Sequence, residues 1–227
     1  MADLIVTIDG PAASGKSTVA RLLARRLALS FLDTGAMYRA VTLAAMNAAV
    51  NLTDEGQLTA LMDRTEFSFS IVGDKMVVRV DGRDVTEQIR APQVTANARY
   101  IAAAPAIRAR LVEMQRQFAA AHRGIVTEGR DQGTVAFPDA DVKFYLTADA
   151  EERAARRLAE MSEQGLSGDL EEIQQAIEQR DKSDAARSVG PMTPAADAVV
   201  VDTTDMSIEQ VVEELLECVK QRCSKKH

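Results

Sequence analysis

Leu4-Ile5-Val6-Thr7-Ile8-Asp9 runs straight into Gly10-Pro11-Ala12-Ala13-Ser14-Gly15-Lys16-Ser17, and then into Thr18-Val19-Ala20-Arg21-Leu22-Leu23-Ala24-Arg25-Arg26-Leu27. The first six residues read as a β-branched strand, and the last ten carry apolar residues at helical spacing. Between them lies a complete G-x-x-x-x-G-K-S. Glycines let the backbone wrap closely around an anion, the loop amides turn inward, and the following helix directs its positive end at the bound charge. The segment is therefore expected to hold a nucleotide polyphosphate, with Lys16 on the β and γ phosphates and Ser17 on a magnesium ion. A Gly- and Ala-rich stretch can also be a plain strand-to-helix turn. The strand before it and the helix after it supply the context that the phosphate-binding reading requires.

A chain of 227 residues fits one domain with an insertion better than two full domains. Its net charge of −7 argues against a general nucleic-acid binder, which presents a positive face to the phosphates it neutralises. Any anion site must then be a local cluster of arginines. Cys218 and Cys223 are the only cysteines, stand in the last helical stretch and have no metal-ligand spacing, as incidental thiols of a reducing compartment do. No stretch approaches the apolar length of a membrane span and no charged leader precedes the first strand, so the expectation is a cytoplasmic protein without membrane partners. His122 and His227 give no signal, the nine methionines read as core fillers, and Lys225-Lys226-His227 reads as a solvated tail.

Five β-type runs, at residues 4–9, 30–33, 125–128, 142–147 and 198–202, alternate with helical patterns. That rhythm predicts an α/β fold with a five-stranded parallel sheet covered by helices on both faces, whose ligands bind beyond the carboxyl ends of the strands. Residues 61–100 break the rhythm. There Glu66-Phe67-Ser68-Phe69-Ser70-Ile71-Val72, the turn dipeptide Gly73-Asp74, Lys75-Met76-Val77-Val78-Arg79-Val80 and Asp81-Gly82-Arg83-Asp84-Val85 read as a small antiparallel meander. The expected organisation is a core of residues 1–60 and 101–227 with an inserted subdomain at 61–100. A second mobile element is expected at about 153–170, where Glu151-Glu152-Arg153-Ala154-Ala155-Arg156-Arg157-Leu158 precedes Gln164-Gly165-Leu166-Ser167-Gly168-Asp169 and another helix. Arg156 and Arg157 are its candidates for ATP, although Glu152 and Arg156 also have the spacing of an ordinary helical ion pair.

Three further constellations follow strands or sit near the end of the chain. Leu32-Asp33-Thr34-Gly35-Ala36-Met37-Tyr38-Arg39 reads as a helix start capped by Thr34, with Arg39 on the next turn. In Glu128-Gly129-Arg130-Asp131-Gln132-Gly133-Thr134, Glu128 at a strand end is a candidate for the magnesium shell, directly or through water, and Arg130 for a phosphate. In Gln179-Arg180-Asp181-Lys182-Ser183-Asp184-Ala185-Ala186-Arg187, helical spacing puts Arg180, Asp184 and Arg187 on one face. A self-satisfied ladder of salt bridges would fit that last pattern equally well.

Taken together, the phosphate loop, Asp33 to Arg39, Gly129-Arg130-Asp131-Gln132-Gly133-Thr134-Val135-Ala136-Phe137-Pro138, the Arg180-Asp181-x-x-Asp184-x-x-Arg187 pattern and the stretch from Pro191 to Ala198 resemble the bacterial-type cytidylate kinases over almost the whole chain. The resemblance implies a P-loop kinase core, a nucleoside-monophosphate-binding insert and a helical lid. It implies that Gly10 to Thr18, with Arg156 and Arg157, bind ATP with Mg2+. Thr34, Tyr38, Arg39, Arg108, Gly129, Arg130, Asp131, Arg180, Asp184 and Arg187 would address CMP or dCMP, and Lys16, Arg130, Arg180 and Arg187 would be catalytic. Within that set Asp131 and Arg108 would read the cytosine edge, since a carboxylate accepts from the exocyclic amine that uracil lacks. Relatives often carry Ser at Thr34, a carboxylate one methylene shorter at Glu128, and a small hydroxyl residue at Arg99.

The implied reaction is phosphoryl transfer from ATP to CMP or dCMP by a monomer that binds no nucleic acid. Two other readings compete with it: a small P-loop kinase acting on UMP, dTMP or a metabolite such as shikimate, and an ATP-dependent switch or binding module without a small acceptor. Arginines beyond the phosphate loop count against the switch.

Overall fold

The computed structural model describes residues 4–73, 75–163 and 165–224; Asp74 of the turn dipeptide, Gln164 of the linking loop and the Lys225-Lys226-His227 tail lie outside the described residues. Along the chain run β1 (Leu4–Asp9), α1 (Lys16–Leu27), β2 (Ser30–Asp33), α2 (Thr34–Asn47), α3 (Glu55–Arg64), β3 (Phe67–Val72), β4 (Lys75–Val80) and β5 (Arg83–Asp84). Then follow α4 (Pro92–Ala103), α5 (Pro105–Ala120), β6 (Gly124–Glu128), β7 (Val142–Thr147), α6 (Ala150–Glu163), α7 (Leu170–Ala185), β8 (Val199–Asp202) and α8 (Ile208–Ser224). The main sheet is five-stranded and parallel, in the order β2-β6-β1-β7-β8, and β3-β4-β5 form a separate antiparallel sheet. Both sheets match the sequence expectation, with β6 and β8 shifted by one residue at their starts.

By contacts the chain divides into two compact units, one of Leu4–Ala28 and the chain from Val126 onward, the other of Leu29–Ile125. In the first, β1 pairs with β7 from Val6 opposite Val142 to Asp9 opposite Tyr145, and β7 pairs with β8 from Phe144 opposite Val199 to Thr147 opposite Asp202. Val6, Ile8, Phe144 and Leu146 are fully buried, which is why β1 and β7 read as apolar runs rather than half-polar alternations. α1 presents Val19, Ala20 and Leu23 to this core and packs on α8, whose Val211, Val212, Leu215 and Val219 are buried. Burying a side chain of this size stabilises by about 1.5–3 kcal/mol, so the apolar stripes rather than helix propensity hold these elements.

In the second unit the meander pairs Phe67 with Val80 through Val72 with Lys75, turning at Gly73, and its Met76 and Val78 are buried. α4 and α5 both begin on proline, whose fixed φ suits a first helical residue, and the extended Ala104 separates them. Their Val94, Ile101, Ile107 and Leu111 are buried.

Two local expectations are corrected. The cap of α2 is Asp33, not Thr34: Asp33 is extended (φ −82°, ψ 92°) and its carboxylate accepts from the amide of Ala36, which makes Thr34 the first helical residue. A carboxylate reaches the third amide of a helix as well as a hydroxyl does and adds charge at its positive end. The second correction is at α7, which ends at Ala185, so that Arg187 lies beyond the helix instead of on one of its faces.

Candidate active site

The phosphate loop takes the shape its residues require. Gly10 has a φ of 144°, and a Cβ there would fall 2.0 Å from the carbonyl oxygen of Leu146 on β7, so no other residue fits. Gly15 stands in the left-handed region at φ 82° as the residue before α1. Ala13 shares that region at φ 58°. Within this loop Lys16 is buried, and its ammonium donates to the carbonyl of Pro11 and to Ser14 Oγ at 3.1 Å. Burial, and then the nearness of Arg130, push it down to about 7 against the pull of Glu128.

Ser17 and Glu128, both singled out for magnesium, meet: the Ser17 hydroxyl donates to Glu128 Oε1 at 2.9 Å. Past Glu128 the chain is tied back to β1. Gly129 donates its N–H to the carbonyl of Ile8 at 3.0 Å, and the amides of Gln132 and Gly133 each donate to one oxygen of Asp9 at 2.8 Å. A Cβ on Gly133 would come within 3.0 Å of Thr7 Oγ1, so the turn lies tight against the sheet. Residues 132–136 then form one turn of π-helix, with Asp131 buried just before it. Burial pushes the Asp9 carboxyl up to about 6, against the two backbone donors and Lys16, which pull it down.

One carboxylate gathers two of the candidate arginines. Asp184 Oδ2 accepts from Arg130 Nε at 2.9 Å, Asp184 Oδ1 accepts from Arg187 Nη2, and the three side chains are 6 to 17 % exposed. Two guanidiniums against one carboxylate leave a net positive charge, and both Arg130 and Arg180 lie close enough to Lys16 to repel its proton. This unit therefore concentrates cations beside a phosphate loop in an acidic chain. The lid candidates are placed differently: Arg156 pairs with Glu152 at 2.8 Å and donates to the hydroxyl and carbonyl of Thr203, while the exposed Arg157 pairs with Glu160.

The unit of Leu29–Ile125 holds Thr34, Tyr38, Arg39 and Arg108. Arg39 Nη2 lies 3.2 Å from Asp33 Oδ2, and its buried Nε has no partner among the described residues. The Arg108 guanidinium stands 5.7 Å over the ring of Tyr38 and donates to the carbonyl of Ala102 at 3.3 Å. Arg99 lies over Tyr100 at 4.8 Å and donates to its hydroxyl at 3.0 Å.

Asp9, Arg153, Asp181 and Tyr145 went unassigned in the sequence. Tyr145 is half-buried on β7, opposite Asp9, and its hydroxyl is pushed up by burial and then by Asp181. Position offered the only signal for the others: Asp9 adjoins Gly10, Arg153 lies in the run of lid arginines, and Asp181 sits inside the R-D-x-x-D pattern.

A parallel sheet, a phosphate loop at the end of its β1 and two arginines gathered on Asp184 in the same unit fit a P-loop kinase. The family model for cytidylate kinase matches residues 6–221, and the chain belongs to that family. It is 47% identical over 211 residues to a cytidylate kinase of Limosilactobacillus fermentum, covering 92% of each chain. It is likewise 47% identical over 215 residues to one of Desulforamulus reducens, covering 95% of this chain and 96% of that one. Among solved structures, an uncharacterized protein from Eubacterium ventriosum shares the fold at a TM-score of 0.52 and 13% identity, covering 96% of this chain and 99% of that one.

Proposed function

We propose that this chain transfers the γ-phosphate of ATP to CMP or dCMP, giving ADP and CDP or dCDP. The observation that carries the reading is the family match from residue 6 to residue 221, which takes in every arginine and carboxylate described above. An oxygen of the acceptor's phosphate attacks the γ-phosphorus in line, the new P–O bond forms, and the bond to the bridging oxygen of ADP breaks. The acceptor monophosphate is already a dianion near neutral pH, so no strong general base is needed. Catalysis consists of bringing two anions together in a fixed geometry and screening the charge that spreads over the transferring group.

In this proposal the loop amides, Lys16, Arg156 and Arg157 hold ATP, and Arg180 and Arg187 act on the reacting phosphates with Lys16 and Arg130. Arg39, whose Nε lacks a partner among the described residues, supports a role in gripping the acceptor's phosphate. Thr34 and Tyr38, which precede it on α2, address the same nucleotide, Asp184 addresses the sugar, and Asp131 and Arg108 read the base. Ser17 and Glu128 suit Mg2+, because a hydroxyl and a carboxylate 2.9 Å apart are the hard oxygen donors that ion takes, and these two residues would hold it directly or through water. A magnesium ion held by Ser17 and Glu128 would supply charge neutralisation for the phosphates of ATP. Residues 61–100 serve as the monophosphate-binding subdomain and 153–170 as the lid that excludes water from the transfer. Cytoplasmic location and a monomeric state belong to the same proposal.

A thermal-shift panel of CMP, dCMP, UMP, dTMP, AMP and shikimate tests the acceptor. A ligand at a hundred times its dissociation constant adds about 2.7 kcal/mol, and CMP and dCMP are expected to give the largest shifts. Stabilisation by shikimate or dTMP alone would overturn the reading.

A further inference from the structure

The peptide group of Ala12, third residue of the phosphate loop, is gripped at both ends by side chains distant in sequence. Its N–H donates to Asp181 Oδ1 at 3.0 Å, and its carbonyl accepts from Arg153 Nη1 at 3.0 Å. The same Arg153 nitrogen pairs with Asp181 Oδ2, which closes a ring of hydrogen bonds, and Arg153 Nε donates to the carbonyl of Ala148 at 3.0 Å. Arg153 comes from the first turns of α6 and Asp181 from the last turns of α7. Beside the ring the loop rests on these same helices through apolar side chains, Ala12 with Ala154 and Ile177, and Ala13 and Ile173 against them.

We infer that Asp181 and Arg153 are positioning residues that lock the phosphate loop to α6 and α7, and so set the geometry in which the donor nucleotide is held. A carboxylate next to a loop built for anions would repel ATP if its charge stood alone. Its pairing with Arg153 cancels that charge, and both partners stay satisfied in a site where an unpaired ion is strongly disfavoured. The Ala12 amide is thereby fixed by protein, and the loop keeps its shape without relying on the ligand. Arg156 and Arg157 lie one turn beyond Arg153, so the lock also bears on where the arginines proposed for ATP stand.

The inference rests on ATP being the ligand of this loop, and the test separates the two. ATP affinity is measured directly by calorimetry for the wild type, Asp181→Ala, Arg153→Ala, the double variant and the isosteric Asp181→Asn, with circular dichroism checking each fold. Steady-state KM values for ATP and CMP are measured alongside. Failure of the wild type to bind ATP would refute the functional reading itself. With wild-type binding intact, each alanine variant is expected to weaken ATP binding and raise KM for ATP about tenfold or more, since displacing a binding group by an ångström costs on this scale. KM for CMP is expected to change less than about twofold, and the double variant to be about as impaired as either single one, because one lock is lost in each. Asp181→Asn keeps the acceptor for Ala12 and is expected to fall between, so it carries the test if the alanine variants fail to fold. Unchanged ATP affinity in a folded variant, or equal losses for ATP and CMP, would overturn the assignment.

Discussion

Asp9 shows how a single side chain can serve two parts of a site. Its two oxygens each take one amide of the Gln132-Gly133 turn, and the next residue is the first glycine of the phosphate loop, so the loop and the arginine-bearing turn share one anchor. The unfolded chain ionises this carboxyl near 3.8, whereas burial in the native state pushes it to about 6. Between those values the native state holds the extra proton, so the stability the residue confers is fully present below 3.8 and is lost as pH rises through about 6. Denaturant unfolding of wild type and Asp9→Asn is expected to show the wild type losing, relative to the variant, on the order of 3 kcal/mol from pH 3.5 to 7.5. The loss should be concentrated in the window set by the two pKa values. Parallel stability curves would contradict this account of Asp9.

At the scale of the element, α2 depends on one residue for both its start and its use. Asp33 caps the helix through Ala36 and holds Arg39, two turns of the same segment joined by one carboxylate. Asp33→Ala is expected to cost about 1 kcal/mol from the lost cap, seen as a lower denaturation midpoint. It also frees Arg39, so KM for CMP should move more than KM for ATP. Equal movement of both would detach Arg39 from the acceptor. The same element shows why the sequence was legible only in part. The phosphate loop, the parallel sheet and the meander could be read because glycine, β-branched and turn residues act through their immediate neighbours. Asp33 and Thr34 are both good caps, and choosing between them needs the backbone angles that only the structure supplies. Helical spacing carries the pattern on to Arg187, because the nearest stop residues, Gly190 and Pro191, stand beyond it, whereas α7 stops at Ala185. Asp9, Arg153 and Asp181 are bound to partners far along the chain or to backbone amides, and no spacing in the sequence announces such bonds.

For the molecule as a whole, the arginines explain how an acidic chain of net charge −7 handles two anions. Arg130 and Arg187 share Asp184, Arg153 is matched by Asp181, and Arg39 by Asp33, so these four arginines stand paired and largely withdrawn from solvent. Each pairing also fixes a side chain in advance, and fixed charges lower the barrier for a transfer that has little covalent chemistry for the protein to perform. The central claim is that these charges pass phosphate from ATP to a cytidine monophosphate. A coupled ADP-release assay with ATP and magnesium, run across CMP, dCMP, UMP, dTMP, AMP and shikimate, tests it most directly. The account predicts the highest kcat/KM for CMP or dCMP, whereas a preference for dTMP or shikimate, or ATP hydrolysis indifferent to every acceptor, would contradict it.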